Sequence, residues 1–244
     1  MSIVWSLIWG MLVFCVMYLT IKYYLPNLSE RVLISMPENL EITNEKDEGV
    51  ITLFQKYNSF ILNNKNLKMF FVVICACFSG WCGYVAYIHS ISMLSMIKMT
   101  ITMCVLSCIF ITDMEFMIIP NICSVCMVIC RLVIMLLEFI WLREEVIAWV
   151  LNSICAMIIS LILLVIVSVL TRGGIGMGDV KILSSLGFMC GIRAVYFSVM
   201  FAFIFCAIVS TVFLVIKKKT LKDSLPLGPF IWLGYGVTVL LGIM

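Results

Sequence analysis

Long apolar runs limit how this chain can fold. Several of them exceed the roughly 18 consecutive apolar residues that a membrane-spanning helix needs. Hydrophobic residues make up 64% of the 244 residues and charged residues 12%, whereas soluble domains are typically about 45–50% apolar and about 25% charged. The sequence therefore predicts an all-α fold, a polytopic transmembrane helical bundle.

Polar breaks divide the chain into about eight predicted helices, which we interpret as a single membrane-embedded domain over residues 1–244. The longest polar segment, at about 26–68, predicts a short cytosolic loop between the first two helices. The predicted helices cover about 2–25, 69–88, 91–112, 121–141, 146–170, 180–191, 194–216 and 228–244.

The basic residues predict an orientation. One alternating set of loops holds 12 of the 16 Lys and Arg residues, and the positive-inside rule places this set in the cytoplasm, with both termini outside. We expect contacts with membrane lipids and no nucleic-acid partner, because no basic stripe with interleaved aromatic residues occurs. The cytoplasmic set is Lys22, Arg31, Lys46, Lys56, Lys65, Lys68, Arg172, Lys181, Lys217, Lys218, Lys219 and Lys222.

Lys98, Arg131 and Glu138 fall well inside predicted membrane-spanning helices, where a charge costs at least ~2.5–3.5 kcal/mol at the bilayer centre. Glu138 lies near the outer end of its helix and is expected to extend toward water, as is Lys98. Arg131 is two helical turns from Glu138, which we interpret as too far for direct pairing. Arg131 is therefore expected to meet another helix.

The 12 cysteines lie mostly in apolar runs, where Cys behaves as a small hydrophobe. Cys123 and Cys126 form one CxxC in a predicted helix, without the second pair that a zinc ribbon requires. The sequence predicts no disulfide framework and no metal site.

Asp113 and Asp179 each lie where a long apolar helix meets the predicted cytoplasmic side. Pro120 ends the break after Asp113 and excludes helical geometry at the residue before it. Four glycines precede Asp179 and remove side chains from that segment; they are Gly173, Gly174, Gly176 and Gly178. Non-helical backbone beside an acid at this depth predicts a wet pocket at the membrane surface.

Two carboxyl groups that converge in such a pocket can share a proton near neutral pH, which is the chemistry of an aspartic protease. The same two acids also suit a proton- or ion-coupled transporter. The residues alone leave these two alternatives open.

Three motifs resemble those of the type IV prepilin peptidases. "GMGD", at 176–179, looks like the GxGD signature of aspartic intramembrane proteases, and "DMEFMIIPN", at 113–121, is similar to the first prepilin-peptidase motif. "PLGPFIWLG", at 226–234, resembles the turn before the last helix of that family. The resemblance covers most of 69–244. It also admits a third interpretation, an inactive assembly protein of a pilus or secretion system.

The resemblance implies a peptidase that removes short, basic leader peptides from pilin-like precursors, at the cytoplasmic face of a prokaryotic plasma membrane. Asp113 and Asp179 correspond to the catalytic pair. Water is then the nucleophile and no cofactor is expected. Supporting roles are expected for Gly176, Gly178, Pro120, Asn121, Lys181, Glu115, Pro226, Gly228 and Pro229.

The loop at 26–68 departs from the larger members of the family. Those members carry paired CxxC motifs that bind zinc in this loop, and they also methylate the new N-terminus, whereas this loop contains no cysteine. We therefore expect peptidase activity without methylation. Glu115 lies where many members have a second acid, but two residues from Asp113 it points to a different helix face, so it is expected to be auxiliary.

Overall fold

The computed structural model describes residues 2–25, 65–89, 92–141, 146–171, 175–215 and 225–243. Across these ranges the chain forms eight α-helices and no β-strand, which confirms the predicted all-α fold. A π-helical turn, Thr20–Tyr24, extends the first helix. The helices are α1 (Ser2–Leu19), α2 (Lys65–His89), α3 (Met93–Phe116), α4 (Asn121–Trp141), α5 (Val146–Leu170), α6 (Met177–Cys190), α7 (Ile192–Val215) and α8 (Gly228–Leu240).

Six helices within the described ranges are long and apolar enough to cross a membrane. The protein is therefore a multi-pass membrane protein, as the apolar runs predicted. The helices α6 and α8 are shorter, with 14 and 13 residues. At about 1.5 Å per residue, each spans about 20 Å, less than the ~30 Å thickness of a bilayer core.

Helix α3 lies at the centre of the bundle. It packs against α1, α2, α4, α6 and α8, and half of its apolar span is buried, compared with 17% for α7. Its buried hydroxyls bond back to the helix itself. Thr102 donates to the carbonyl of Lys98 and Ser107 to that of Met103. The central helix can thus carry polar residues without leaving their hydroxyl groups unsatisfied.

Several helix boundaries differ from the prediction. Helix α2 begins at Lys65 rather than 69, α3 continues to Phe116 rather than 112, and α6 begins at Met177 rather than 180. Helix α3 ends just before Met117, which is left-handed with φ 51°, and the residues from there to Pro120 have no regular secondary structure. The remainder of the predicted loop, 26–64, lies outside the described residues. The single-domain boundary and the orientation of the termini remain predictions.

Two predictions for the charged residues inside the helices were wrong. Lys98 and Glu138 do not extend toward water, and Arg131 does pair with Glu138. Arg131 forms a salt bridge with Glu138, with 3.0 Å between Nη1 and Oε2, and both side chains are 1% exposed. Lys98 Nζ lies 2.8 Å from Glu138 Oε1 and 5.3 Å from the centre of the Trp149 ring. Glu138 and Lys98 were predicted to extend toward water, but both pair within the bundle instead.

Arg131 and Glu138 meet because both side chains are long enough to close two helical turns, about 11 Å of rise. Arg131 Nη2 also donates to Ser153 Oγ on α5 at 3.0 Å, which agrees with the expected contact to another helix. The network joins α3, α4 and α5. Burying these charges is tolerable because each finds a partner within the bundle.

Candidate active site

Asp113 lies in the last turn of α3 and is 5% exposed. The helix ends three residues later, where the N–H of Met117 donates to the carbonyl of Asp113 at 2.9 Å. The chain then runs without helical structure to Pro120. Because Asp113 is on the helix and not in the break, the packing of α3 determines where its carboxylate lies.

The start of α8 contacts the Asp113 side chain. Gly228 N–H donates to Asp113 Oδ2 at 2.6 Å. Pro226, Gly228 and Pro229 are all buried. A Cβ at position 228 would lie 2.9 Å from both Cβ and Oδ2 of Asp113. Glycine is therefore required for the amide to come this close to the carboxylate.

Asp179 lies in the first turn of α6 and is partly buried. Gly176 precedes the helix in an extended conformation, and its carbonyl accepts a hydrogen bond from the N–H of Val180 at 3.2 Å. The prediction placed Asp179 just before this helix, within the glycine segment. The helix instead begins two residues before Asp179, and this fixes the direction in which its side chain leaves the backbone.

The pKa of Asp179 is raised from its ordinary value to about 6. Burial is the largest cause, and the negative charge of Asp113 is the second, while the backbone N–H of Gly176 opposes the rise. The two carboxyl groups therefore lie close enough for one charge to act on the other. This arrangement allows the pair to hold a single proton near neutral pH.

Two contacts join the break after Asp113 to the helix that carries Asp179. A Cβ at Gly178 would lie 3.2 Å from Cβ of Ile119, so the space left by this glycine is filled by Ile119. Lys181 Nζ donates to Asn121 Oδ1 at 3.2 Å on the exposed side. The break thus packs along the first turn of α6. Through these contacts it connects the end of α3, which carries Asp113, to the start of α6, which carries Asp179.

Glu115 is 7% exposed and lies in the same helical turn as Asp113. Sequence reasoning singled out the glycines but missed Ile119, the residue that fills the space at Gly178. Its position directly before Pro120, which forces it into an extended conformation, was the available signal. Gly173 and Gly174 lie outside the described residues.

Asp113, Asp179 and Gly228 thus come together from three separate stretches of sequence. The end of α3, the start of α6 and the start of α8 supply them. The described residues contain no group of three or more His, Cys, Asp or Glu side chains that could hold a metal ion.

The model of the type IV leader peptidase family matches residues 100–211. This confirms the resemblance that the motifs indicated, and it supports a protease of the leader-peptidase type. No curated protein and no solved structure matches the chain.

Residues 100–211, the segment that the family model matches, contain both acids and the break after Asp113. Gly228, which donates to Asp113, follows the matched segment by 17 positions in the printed sequence, since 228 − 211 = 17. The hydrogen bond between them therefore ties the last helix to a site whose two acids lie within the family segment.

Proposed function

We propose that the protein is an aspartic endopeptidase that cleaves the leader peptide from type IV pilin-like precursors. Cleavage takes place at the cytoplasmic face of the plasma membrane, and the new N-terminus is not methylated. The observation that carries the proposal is the effect of the Asp113 charge on Asp179 within a segment of the leader peptidase family.

The proposed reaction is hydrolysis of one peptide bond by water. One carboxylate accepts a proton from water while the water oxygen bonds to the carbonyl carbon, and the other carboxyl gives its proton to the carbonyl oxygen. The resulting diol collapses when the first carboxyl passes its proton to the leaving nitrogen. A diol hydroxyl returns its proton to the second carboxyl as the C–N bond breaks. The products are a carboxylic acid and an amine, and both aspartates return to their starting states.

The short helices support a site near the membrane surface. Helices α6 and α8 begin at the site and are too short to span a bilayer. Together with the break at 117–120, they surround the acids with chain ends and turns. Water can reach such a site more easily than it can reach the middle of a long helix.

The proposed substrate and the absence of methylation depend on the motifs and on the loop at 26–68. The cytoplasmic position rests on the basic residues around the motifs. The loop has no cysteine and no glycine-rich segment suited to a methyl donor. These features favour the peptidase reaction alone.

The test is co-expression of the full chain with candidate pilin-like precursors in a bacterial host, with leader removal followed by mass spectrometry. Asp113→Asn and Asp179→Asn should each abolish cleavage. Asp47→Asn, which makes the same chemical change in the loop at 26–68, should retain it. A product that keeps an unmodified N-terminal amine is expected, and an added methyl group would contradict the proposal.

Two outcomes would favour the other candidate functions. Proton flux into liposomes that is lost in the same two Asn variants, without any leader cleavage, would indicate a transporter. Pilus or secretion assembly that persists in both Asn variants would indicate a catalytically inactive assembly protein.

A further inference from the structure

The two carboxyl groups of the site have different surroundings. Asp113 is almost fully buried, and its Oδ2 accepts the 2.6 Å hydrogen bond from the first amide of α8. A short bond from the amides at a helix N-terminus favours an ionised acceptor, because those amides carry partial positive charge and lack partners within the helix.

Asp179 has no comparable contact with a second helix among the hydrogen bonds of the described residues. It lies on the first turn of its own helix, and the backbone N–H of Gly176 is the group that stabilises its charge. Burial, and then the charge of Asp113, raise its pKa to about 6.

The charged groups around Asp179 leave Asp113 as its main electrostatic neighbour. Helix α5 contains no acidic or basic residue, and Arg193 of α7 lies beyond the opposite end of α6. Glu115 lies in the same turn of α3 as Asp113. On α6 itself, Lys181 donates to Asn121, the first residue of α4.

We propose that Asp113 carries the negative charge of the resting pair and acts as the general base, while Asp179 carries the shared proton and acts as the general acid. The N–H of Gly228 is then a positioning group that keeps the charge on Asp113. The assignment of general base and general acid rests on the proposed function, whereas the unequal distribution of the proton between the two carboxyl groups does not.

This assignment gives each proton transfer in the reaction a direction. Water gives a proton to Asp113 as its oxygen bonds to the carbonyl carbon, and Asp179 gives its proton to the carbonyl oxygen. When the C–N bond breaks, Asp113 passes its proton to the nitrogen and Asp179 recovers one from the diol. The Gly228 amide holds Oδ2 of Asp113, so Oδ1 is the oxygen that takes the proton.

The test is an infrared titration of the full chain in lipid nanodiscs, with the aspartate carboxyl carbons labelled with ¹³C. The protonated-carboxyl band of the site is measured in wild type, Asp113→Asn and Asp179→Asn between about pH 4 and pH 9. We expect the wild-type band to disappear near pH 6, the value for Asp179. Asp179→Asn should lack this band. Asp113→Asn should keep it, with a midpoint lower by about one pH unit because the neighbouring charge is gone.

A second variant separates the role of the Gly228 amide from simple structural support. Gly228→Ala is added to Asp179→Asn, where its new Cβ would displace the Asp113 carboxylate from the amide. The protonated-carboxyl band should then return, whereas a purely structural role would leave it absent.

Each result either supports or overturns the assignment. A band that is kept in Asp179→Asn and lost in Asp113→Asn would reverse the two roles, and a band unchanged in both variants would show that the pair does not share a proton. The titration needs no substrate. The expected titration without leader cleavage would therefore overturn the proposed function alone, and cleavage with the reversed titration would overturn this inference alone.

Discussion

Gly228 donates its backbone N–H to the carboxylate of Asp113, although 115 positions separate the two residues in the chain. Gly228→Ala should lower the proposed peptidase activity by roughly 100-fold, because a new Cβ 2.9 Å from Asp113 Oδ2 would push the proposed catalytic carboxylate out of place. The measurement is the initial rate of leader removal from a purified precursor, alongside the thermal unfolding midpoint.

Gly187→Ala is the matched control for that change. A Cβ at this position would lie 3.0 Å from the carbonyl oxygen of Ala156, between α5 and α6. It should lower the unfolding midpoint without removing activity at temperatures where the protein stays folded. Equal loss of activity in both variants would mean that Gly228 acts through general packing.

Asp179→Asn should stabilise the fold at neutral pH. The folded protein holds the Asp179 proton up to about pH 6, whereas an unfolded chain releases it near pH 4. The folded state therefore binds more protons in this window, so the free energy of unfolding falls as pH rises through it and stays lower above it. The variant removes this cost, which is about 3 kcal/mol for a difference of about two pKa units.

Unfolding in detergent at about pH 4 and pH 7.5 would measure this effect. The difference in unfolding midpoint between Asp179→Asn and wild type should be small at the lower pH and positive at the higher pH. A variant that is less stable than wild type at pH 7.5 would show that the Asp179 carboxyl contributes favourably to folding.

Gly178→Ala should slow cleavage about tenfold, equivalent to about 1.4 kcal/mol in the barrier. Its Cβ would lie 3.2 Å from Cβ of Ile119, so the break would shift relative to α6. Ile119→Ala keeps the Cβ of residue 119 but removes the side-chain atoms beyond it, so the break has room to adjust. The double variant should recover part of the lost rate, and a rate no better than the product of the two single effects would argue against this contact.

Glu138→Gln should destabilise the bundle by about 3–5 kcal/mol, because it leaves Arg131 and Lys98 buried or partly buried without a carboxylate. The matched control replaces all three residues with apolar ones of similar size, Lys98→Met, Arg131→Met and Glu138→Leu. This variant should unfold near the wild-type temperature in detergent. If the triple variant is as unstable as Glu138→Gln, the ion pairs themselves stabilise the native packing.

The apolar runs were sufficient to predict the helical bundle, since helices satisfy their own backbone groups in lipid. They also predicted α4 and α5 within the described boundaries, because a polar break directly precedes each helix. The ends of α3 and the start of α6 were less predictable. The pattern of apolar residues indicated neither the left-handed conformation of Met117 nor the close approach of Ile119 to Gly178.

The pairing of Arg131 with Glu138 shows why sequence spacing alone was insufficient. Seven residues separate them, and the distance along the helix axis suggested no contact. Two extended side chains turned toward each other close the gap, and Lys98 from α3 completes the network. Rotamers and neighbouring helices decide such contacts, and a periodic pattern does not contain that information.

The sequence by itself determined the membrane-embedded helical class and indicated which two acids are the candidates for the site, because apolar length and motif spacing are local properties of the chain. Only the tertiary structure decided that the Gly228 amide reaches Asp113 and that Ile119 fills the space at Gly178. Those contacts join residues far apart in sequence. They exist because the central helix α3 brings the ends of three chain segments to one place.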